Sequence, residues 1–243
     1  MPDGWTRFDI GGKPADVFEP PAGPASRYAL LWLHDDDERS PPSTLTQHLA
    51  RLRLPCVAPH GGQACWADRV CPAFDPELTA EQHLLRNVVP WMAVRWALGP
   101  RGVGAAGVGM GGQGAVRFGL KYPDRFPAIA SVDGAFDHHE LYGRGTPLDA
   151  MYATREHCRQ DTAVLHVQPV HWPPHLWLAC DPASAWYRGN DRLHEKLSAL
   201  GVPHAADLDA TTGGDAGAYL DRMIAPMLAY LADGLNRESR RLM

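Results

Sequence analysis

The sequence predicts an α/β fold: a mostly parallel central sheet with helices on both faces. Three observations predict it. Short apolar runs bounded by turn residues, at 28–33, 102–108, 128–132 and 176–180, alternate with longer segments of helical period, the order that builds parallel strands joined by crossover helices. The length of 243 residues suits one substantial core, so a single domain over 1–243 is expected. A glycine-rich turn, Gly107-Val108-Gly109-Met110-Gly111-Gly112, follows an apolar run and opens a helix-period segment.

Taken in order, 5–10 and 15–18 flank Gly11-Gly12 and read as an opening hairpin. The run 28–33 is the first interior strand. It ends in His34-Asp35-Asp36-Asp37, and Pro41-Pro42 lead into a helix at 43–52. Val57 and Ala58 form a short strand closed by Pro59. A long helix is expected over 79–98, opened by Thr79 with Gln82 as a capping box, bent at Pro90 and stopped by Gly99-Pro100. Strand 102–108 passes through the glycine turn into a helix at 112–121, which Tyr122-Pro123 ends. Strands at 128–132 and 176–180 follow, then a helix at 185–200 capped by Gly201. In the final helix Leu220, Met223, Ile224, Met227, Leu228, Leu231 and Leu235 fall at helical spacing as one core-facing stripe. Residues 137–174, proline-bearing and of mixed pattern, read as an insertion over the C-terminal edge of the sheet, where this architecture binds ligands.

Composition narrows the function classes. A net charge of −5 makes neither nucleic acid nor an anionic membrane an electrostatically favoured partner. The N-terminal residues carry no secretory signal, and no apolar run nears the roughly 18 residues of a bilayer span. Five cysteines without a CxxC pair suit a reducing compartment, and a cytoplasmic location is expected. Twelve histidines raise a metal site. Neither His138-His139-Glu140 nor His166, His171 and His175 has zinc-ligand spacing, and no metal or other cofactor is expected. Gly107-x-Gly109-x-x-Gly112 formally matches a dinucleotide fingerprint, with Asp133 as its ribose acid. The strand before it is too late in the chain for that unit.

The segment Gly107-Val108-Gly109-Met110-Gly111-Gly112-Gln113-Gly114-Ala115, followed by Lys121-Tyr122-Pro123-Asp124-Arg125-Phe126, resembles the α/β-hydrolase esterases of the esterase D and S-formylglutathione hydrolase type. Those esterases carry a GxSMGGxGA elbow and a Tyr-Pro-Asp-Arg-Phe-like phrase after the next helix. The resemblance implies an α/β-hydrolase fold and a Ser, Asp, His triad in that chain order. It places the nucleophile at Gly109 and the acid at Asp181, or at Ser184 in a shifted register. The base falls at Asp215, where the family's GGHxW phrase reads Gly213-Gly214-Asp215-Ala216-Gly217. It also implies an oxyanion site made by the Met110 amide and a second N–H from the loop at Asp35, where many relatives have His-Gly.

Glycine cannot attack a carbonyl, and an aspartate is about two to three pK units less basic than imidazole. The expectation is therefore an esterase-like protein without serine-hydrolase catalysis, whose elbow persists with a small vacancy above Gly109. The acidic run at 35–38 is expected in solvent. Trp66 either lines the pocket or packs beneath its loop, and Cys65 nearby is expected to be a packed thiol rather than a replacement nucleophile. The pocket is read as taking a small ester or acyl ligand. Two further readings stay open: a hydrolase or lyase drawing its base from Asp181 or Asp215, and a non-catalytic scaffold or regulator.

Overall fold

In the computed structural model, which describes residues 4–24, 27–35 and 41–241, eight strands join one sheet in the order β1-β2-β4-β3-β5-β6-β7-β8. The strands are β1 (Trp5–Ile10), β2 (Lys13–Phe18), β3 (Ala29–Leu33), β4 (Cys56–Pro59), β5 (Val103–Val108), β6 (Ala128–Val132), β7 (His175–Ala179) and β8 (Ala205–Asp207). Only β2 runs against its neighbours β1 and β4; the other pairings are parallel. The hairpin thus closes one side of a sheet that is otherwise built by crossovers.

Alternation along the strands divides the core into two layers. Leu30 and Trp32 of β3 pack with Leu45 and Leu49 of α1 (Ser43–Leu52) and with Met223, Met227 and Leu231 of α8 (Ala216–Arg241). Leu31 and Leu33 pack in the opposite layer with Val116 and Phe118 of α4 (Met110–Lys121) and Leu193 and Leu197 of α7 (Tyr187–Ala199). Because successive side chains of a strand point to opposite faces, one five-residue apolar run supplies both layers. The apolar stripe of the last helix lies in the first of them.

Two elements differ from the sequence expectation. Thr79 does cap its helix, accepting the Gln82 amide at 3.1 Å. The helix, however, is broken into α2 (Ala80–His83), a π-helical turn at Leu84–Val88 and α3 (Val89–Arg95). Pro90 has no N–H to give to the i−4 carbonyl, and it enters where the ladder is already interrupted. Strand β8 is an addition: three partly exposed residues, Ala-Ala-Asp, without the alternation or β-branching that marks a strand. The segment 137–174, expected to be of mixed pattern, holds 3-10 turns at His138–Leu141 and Ala163–His166, with α5 (Leu148–Met151) and α6 (Arg155–Gln160) between them, and an isolated antiparallel bridge between Gln168 and His171.

This segment is clasped to α4. Gln113 accepts the Ala163 amide at 2.8 Å, and the Arg117 guanidinium lies between Glu81 and Asp161. Arg117 and Glu81 are each 1% exposed, and removing either partner would strand a buried charge. That pairing accounts for an arginine in a helix whose other buried residues, apart from Gln113, are apolar or glycine. Among the described residues no helix is long and apolar enough to cross a membrane.

Candidate functional site

Strands β3, β5, β6 and β7 run parallel, so their C-terminal ends collect on one edge. They deliver Asp35, Gly109, Asp133 and Asp181 to a cleft of about 220 Å³ that Ser184 and Trp186 also line. Ligands of open α/β sheets bind at this edge.

Gly109 joins β5 to α4 with φ 55° and ψ −119°. Its amide donates to the Val132 carbonyl at 3.1 Å, and its carbonyl accepts from Gln113 and Ala135 at 3.0 and 2.9 Å, so the sharp turn is fixed by neighbours on both sides. A positive φ of this kind costs a side-chain-bearing residue about 1–3 kcal/mol, and glycine escapes that cost. Two residues on either side, Gly107 and Gly111 lie where a Cβ would run into the other's backbone or the Leu33 carbonyl. Strand and helix can approach only because both are glycine.

The space above Gly109 is filled. A Cβ on Gly109 would fall on the Asp35 carboxyl group, inside the 3.0 Å that real Cβ atoms respect. Asp35 Oδ1 also accepts the Met110 amide at 2.9 Å. This corrects two expectations, the small vacancy and the solvated Asp35. The Asp35 side chain thus presents an acceptor to the Met110 amide. The other acidic residues of that run, Asp36, Asp37 and Glu38, lie outside the described residues. The strand end is held firmly: His34 Nε2 accepts the Gly61 amide at 2.9 Å, His34 Nδ1 meets the Asp35 carbonyl, and Trp66 Nε1 donates to the His34 carbonyl at 3.0 Å.

Asp181 faces the cleft and ties down the loop after β8. Its carboxylate accepts from the amides of Ala183 (2.8 Å), Thr212 (2.7 Å) and Gly214 (3.3 Å) and from the hydroxyls of Thr211 (2.7 Å) and Thr212 (3.0 Å). Burial disfavours the charge, but the Thr212 and Ala183 amides, the Thr211 hydroxyl and the Gly214 amide outweigh it. The carboxyl is held well below the ordinary aspartate range. Ser184, the alternative position for the acid, instead accepts the Trp186 amide at 3.2 Å. Asp215 is exposed and outside the cleft wall. Its Oδ1 accepts the Ala218 amide at 3.0 Å and its carbonyl the Tyr219 amide at 2.8 Å, the work of an N-cap for α8.

Two residues at the site were not foreseen in these roles. Asp133, 4% exposed with φ 45°, accepts the Asp181 amide at 3.0 Å, and burial pushes its carboxyl above the ordinary value. It follows an apolar strand directly, as Gly109 does, and that position was the available signal. Trp186, just before α7, lines the cleft in place of Trp66. Trp66 is 2% exposed and packs against Gly61 and Gly114, so it supports the loop from below. Cys65 is likewise buried and absent from the cleft wall.

The described walls of the cleft contain three carboxyl groups and no histidine. Of the histidines considered as ligands, His166 pairs with Asp161, His171 with Asp124 and His175 with Glu238, whereas His138 Nδ1 lies against the Ala135 carbonyl. Among the described residues no three His, Cys, Asp or Glu side chains are grouped to hold a metal ion.

None of the curated proteins matches the chain. Among solved structures, a fluorophosphonate-binding serine hydrolase of Staphylococcus aureus is 16% identical, with 96% of this chain and 99% of that one covered at a TM-score of 0.73. An S-formylglutathione hydrolase of Agrobacterium tumefaciens is 13% identical, with 97% of each chain covered and a TM-score of 0.73. Its Staphylococcus aureus counterpart is 16% identical, covering 94% and 97%, at 0.70. At such identities the likeness shows a shared fold, the α/β-hydrolase fold. The sequence model of the Esterase family matches residues 15–237, and the chain belongs to that family.

Proposed function

We propose that this esterase-family protein is not a serine hydrolase, and that its cleft binds a small uncharged ester or acyl compound without cleaving it. The observation that carries this reading is the Asp35 carboxylate, which stands over Gly109 and takes the Met110 amide. Acyl transfer needs that amide for the oxyanion of the tetrahedral intermediate, and losing one such donor costs about 10²–10³ in kcat. Here the donor is committed to a group of the same sign as the oxyanion. Gly109 supplies no nucleophile, and Asp215 is engaged as a helix cap.

Asp181 makes a poor substitute base. Asp181 already accepts five hydrogen bonds, more than the roughly four lone-pair sites of a carboxylate comfortably serve, and its depressed pKa removes basicity. Three carboxyl groups disfavour an anionic ligand. A volume of about 220 Å³ lies below the roughly 300–1,000 Å³ of drug-sized sites, which limits the ligand to a small one.

Turnover of p-nitrophenyl acetate and labelling by a fluorophosphonate are expected at background. A fluorophosphonate adduct, or turnover abolished by that reagent, overturns the reading. Short-chain uncharged esters are expected to raise the melting temperature with increasing concentration, as ligands of the native state do. No shift from any ester of the series overturns the binding half of the reading.

A further inference from the structure

A larger cavity, about 490 Å³, lies away from the elbow, between α7 and the chain that runs from the end of β6 through the 137–174 segment. One side is apolar, with Phe136, Val164 and Leu165, and Leu165 is 41% exposed. The charged groups of the wall are three cations, Arg159, Arg192 and Lys196, against two carboxylates, Asp137 and Glu195. Arg192 is paired with Asp137, and Arg159 with Glu156. Lys196 makes no ion pair among the described residues; its ammonium donates to the Val164 carbonyl at 2.6 Å. His139, 8% exposed in the same wall, has its Nδ1 buried without a hydrogen-bond partner.

We propose that this cavity is a binding site for a small organic monoanion, a carboxylate with an apolar body. The head sits on the Lys196 ammonium with His139 as a second polar contact, and the body lies against Phe136, Val164 and Leu165. Arg192 is held by Asp137 and Arg159 by Glu156, which leaves Lys196 as the cation of the wall without an ion pair among the described residues, and a single ligand carboxylate supplies one. The half-buried Lys196 ammonium is partly desolvated, which lowers its pKa, and an anionic ligand offsets that cost. The site is independent of the cleft at Gly109 and of the reading given to it.

The test is titration with benzoate, followed by amide correlation spectra. Binding is expected with shifts confined to 136–139, 162–165 and 192–199. Benzamide, the neutral counterpart, and the Lys196→Met variant are each expected to bind about tenfold more weakly or worse, while Lys196→Arg retains affinity. Asp35→Asn is expected to leave benzoate binding unchanged, because that carboxylate lies in the other pocket. Equal affinity for benzamide, unaltered affinity in Lys196→Met, shifts centred on Gly109 and Trp186, or no binding up to about 10 mM would each overturn the proposal. Should Lys196→Met fail to fold, the contrast between benzoate and benzamide on the unaltered protein decides.

Discussion

Placing serine at Gly109 is the most direct test of the proposal that Asp35 occupies the space a nucleophile would need. Gly109→Ser incurs two separable costs. The backbone holds φ at 55°, which a residue with a Cβ adopts at about 1–3 kcal/mol. The new Cβ also falls on the Asp35 carboxyl, which must leave, and with it goes the Met110–Asp35 hydrogen bond of 2.9 Å. A hydrogen bond to a charged group contributes about 1.5–3 kcal/mol. The sum is about 2.5–6 kcal/mol, which at about 2–4 °C per kcal/mol for a chain of this size lowers the melting temperature by about 5–24 °C. Asp35→Gly loses the same bond, so in that background the serine incurs only the φ cost. Urea unfolding of the unaltered protein, both single variants and the double variant is therefore expected to give a favourable coupling of about 1.5–3 kcal/mol. Additivity within about 0.5 kcal/mol would refute the reasoning, because it would mean that Asp35 does not occupy the serine's space.

The other predictions concern pH. The folded-state pKa of Asp181 lies below the ordinary aspartate value of 3.8, so its contribution is complete above that value and is lost as the pH falls below it. In Asp181→Asn the acid limb of the stability curve below about pH 4 is expected to flatten, and an unchanged limb argues against ionised Asp181 as the clasp of the 211–214 loop. His138 is fully enclosed, its Nδ1 sits 3.0 Å from the Ala135 carbonyl, and burial pushes its pKa down from 6.5 to about 4. The unfolded chain binds the extra proton first, so stability should fall between 6.5 and 4, by at most about 1.4 kcal/mol per pH unit. His138→Asn, which keeps a donor for the carbonyl, is expected to remove that slope when urea midpoints are compared across the range.

On the proposed reading, the edge of the sheet at Gly109 keeps the fold without the reaction. Glycine at 109 relieves a strained turn, and aspartate at 215 is a good helix cap. Each residue is favourable where it stands for reasons unrelated to acyl transfer. Asp35 goes further, since it occupies both the nucleophile's volume and the oxyanion donor. We therefore regard the Asp35→Gly change as a prerequisite for any attempt to rebuild an esterase here, alongside Gly109→Ser and Asp215→His.

The sequence by itself determined the sheet apart from β8, its helices on both faces and the elbow, because these follow from local signals: apolar runs of strand length, helical spacing in the last helix, and glycines at 107, 109 and 111. It also marked Asp181, which closes a strand. Only the tertiary structure decided where the side chains of loops point. Asp35 and Met110 are 75 residues apart in sequence and meet because β3 and β5 pair in parallel. Asp35 looked like part of a solvated acidic run because charge runs on loops usually are, and nothing local says that one carboxylate turns inward to meet an amide. The same holds for Trp66, drawn under its loop by the carbonyl of His34, and for the π turn that prepares the way for Pro90. Periodicity records which face of an element is buried; the partner that a loop side chain finds depends on distant strands brought side by side.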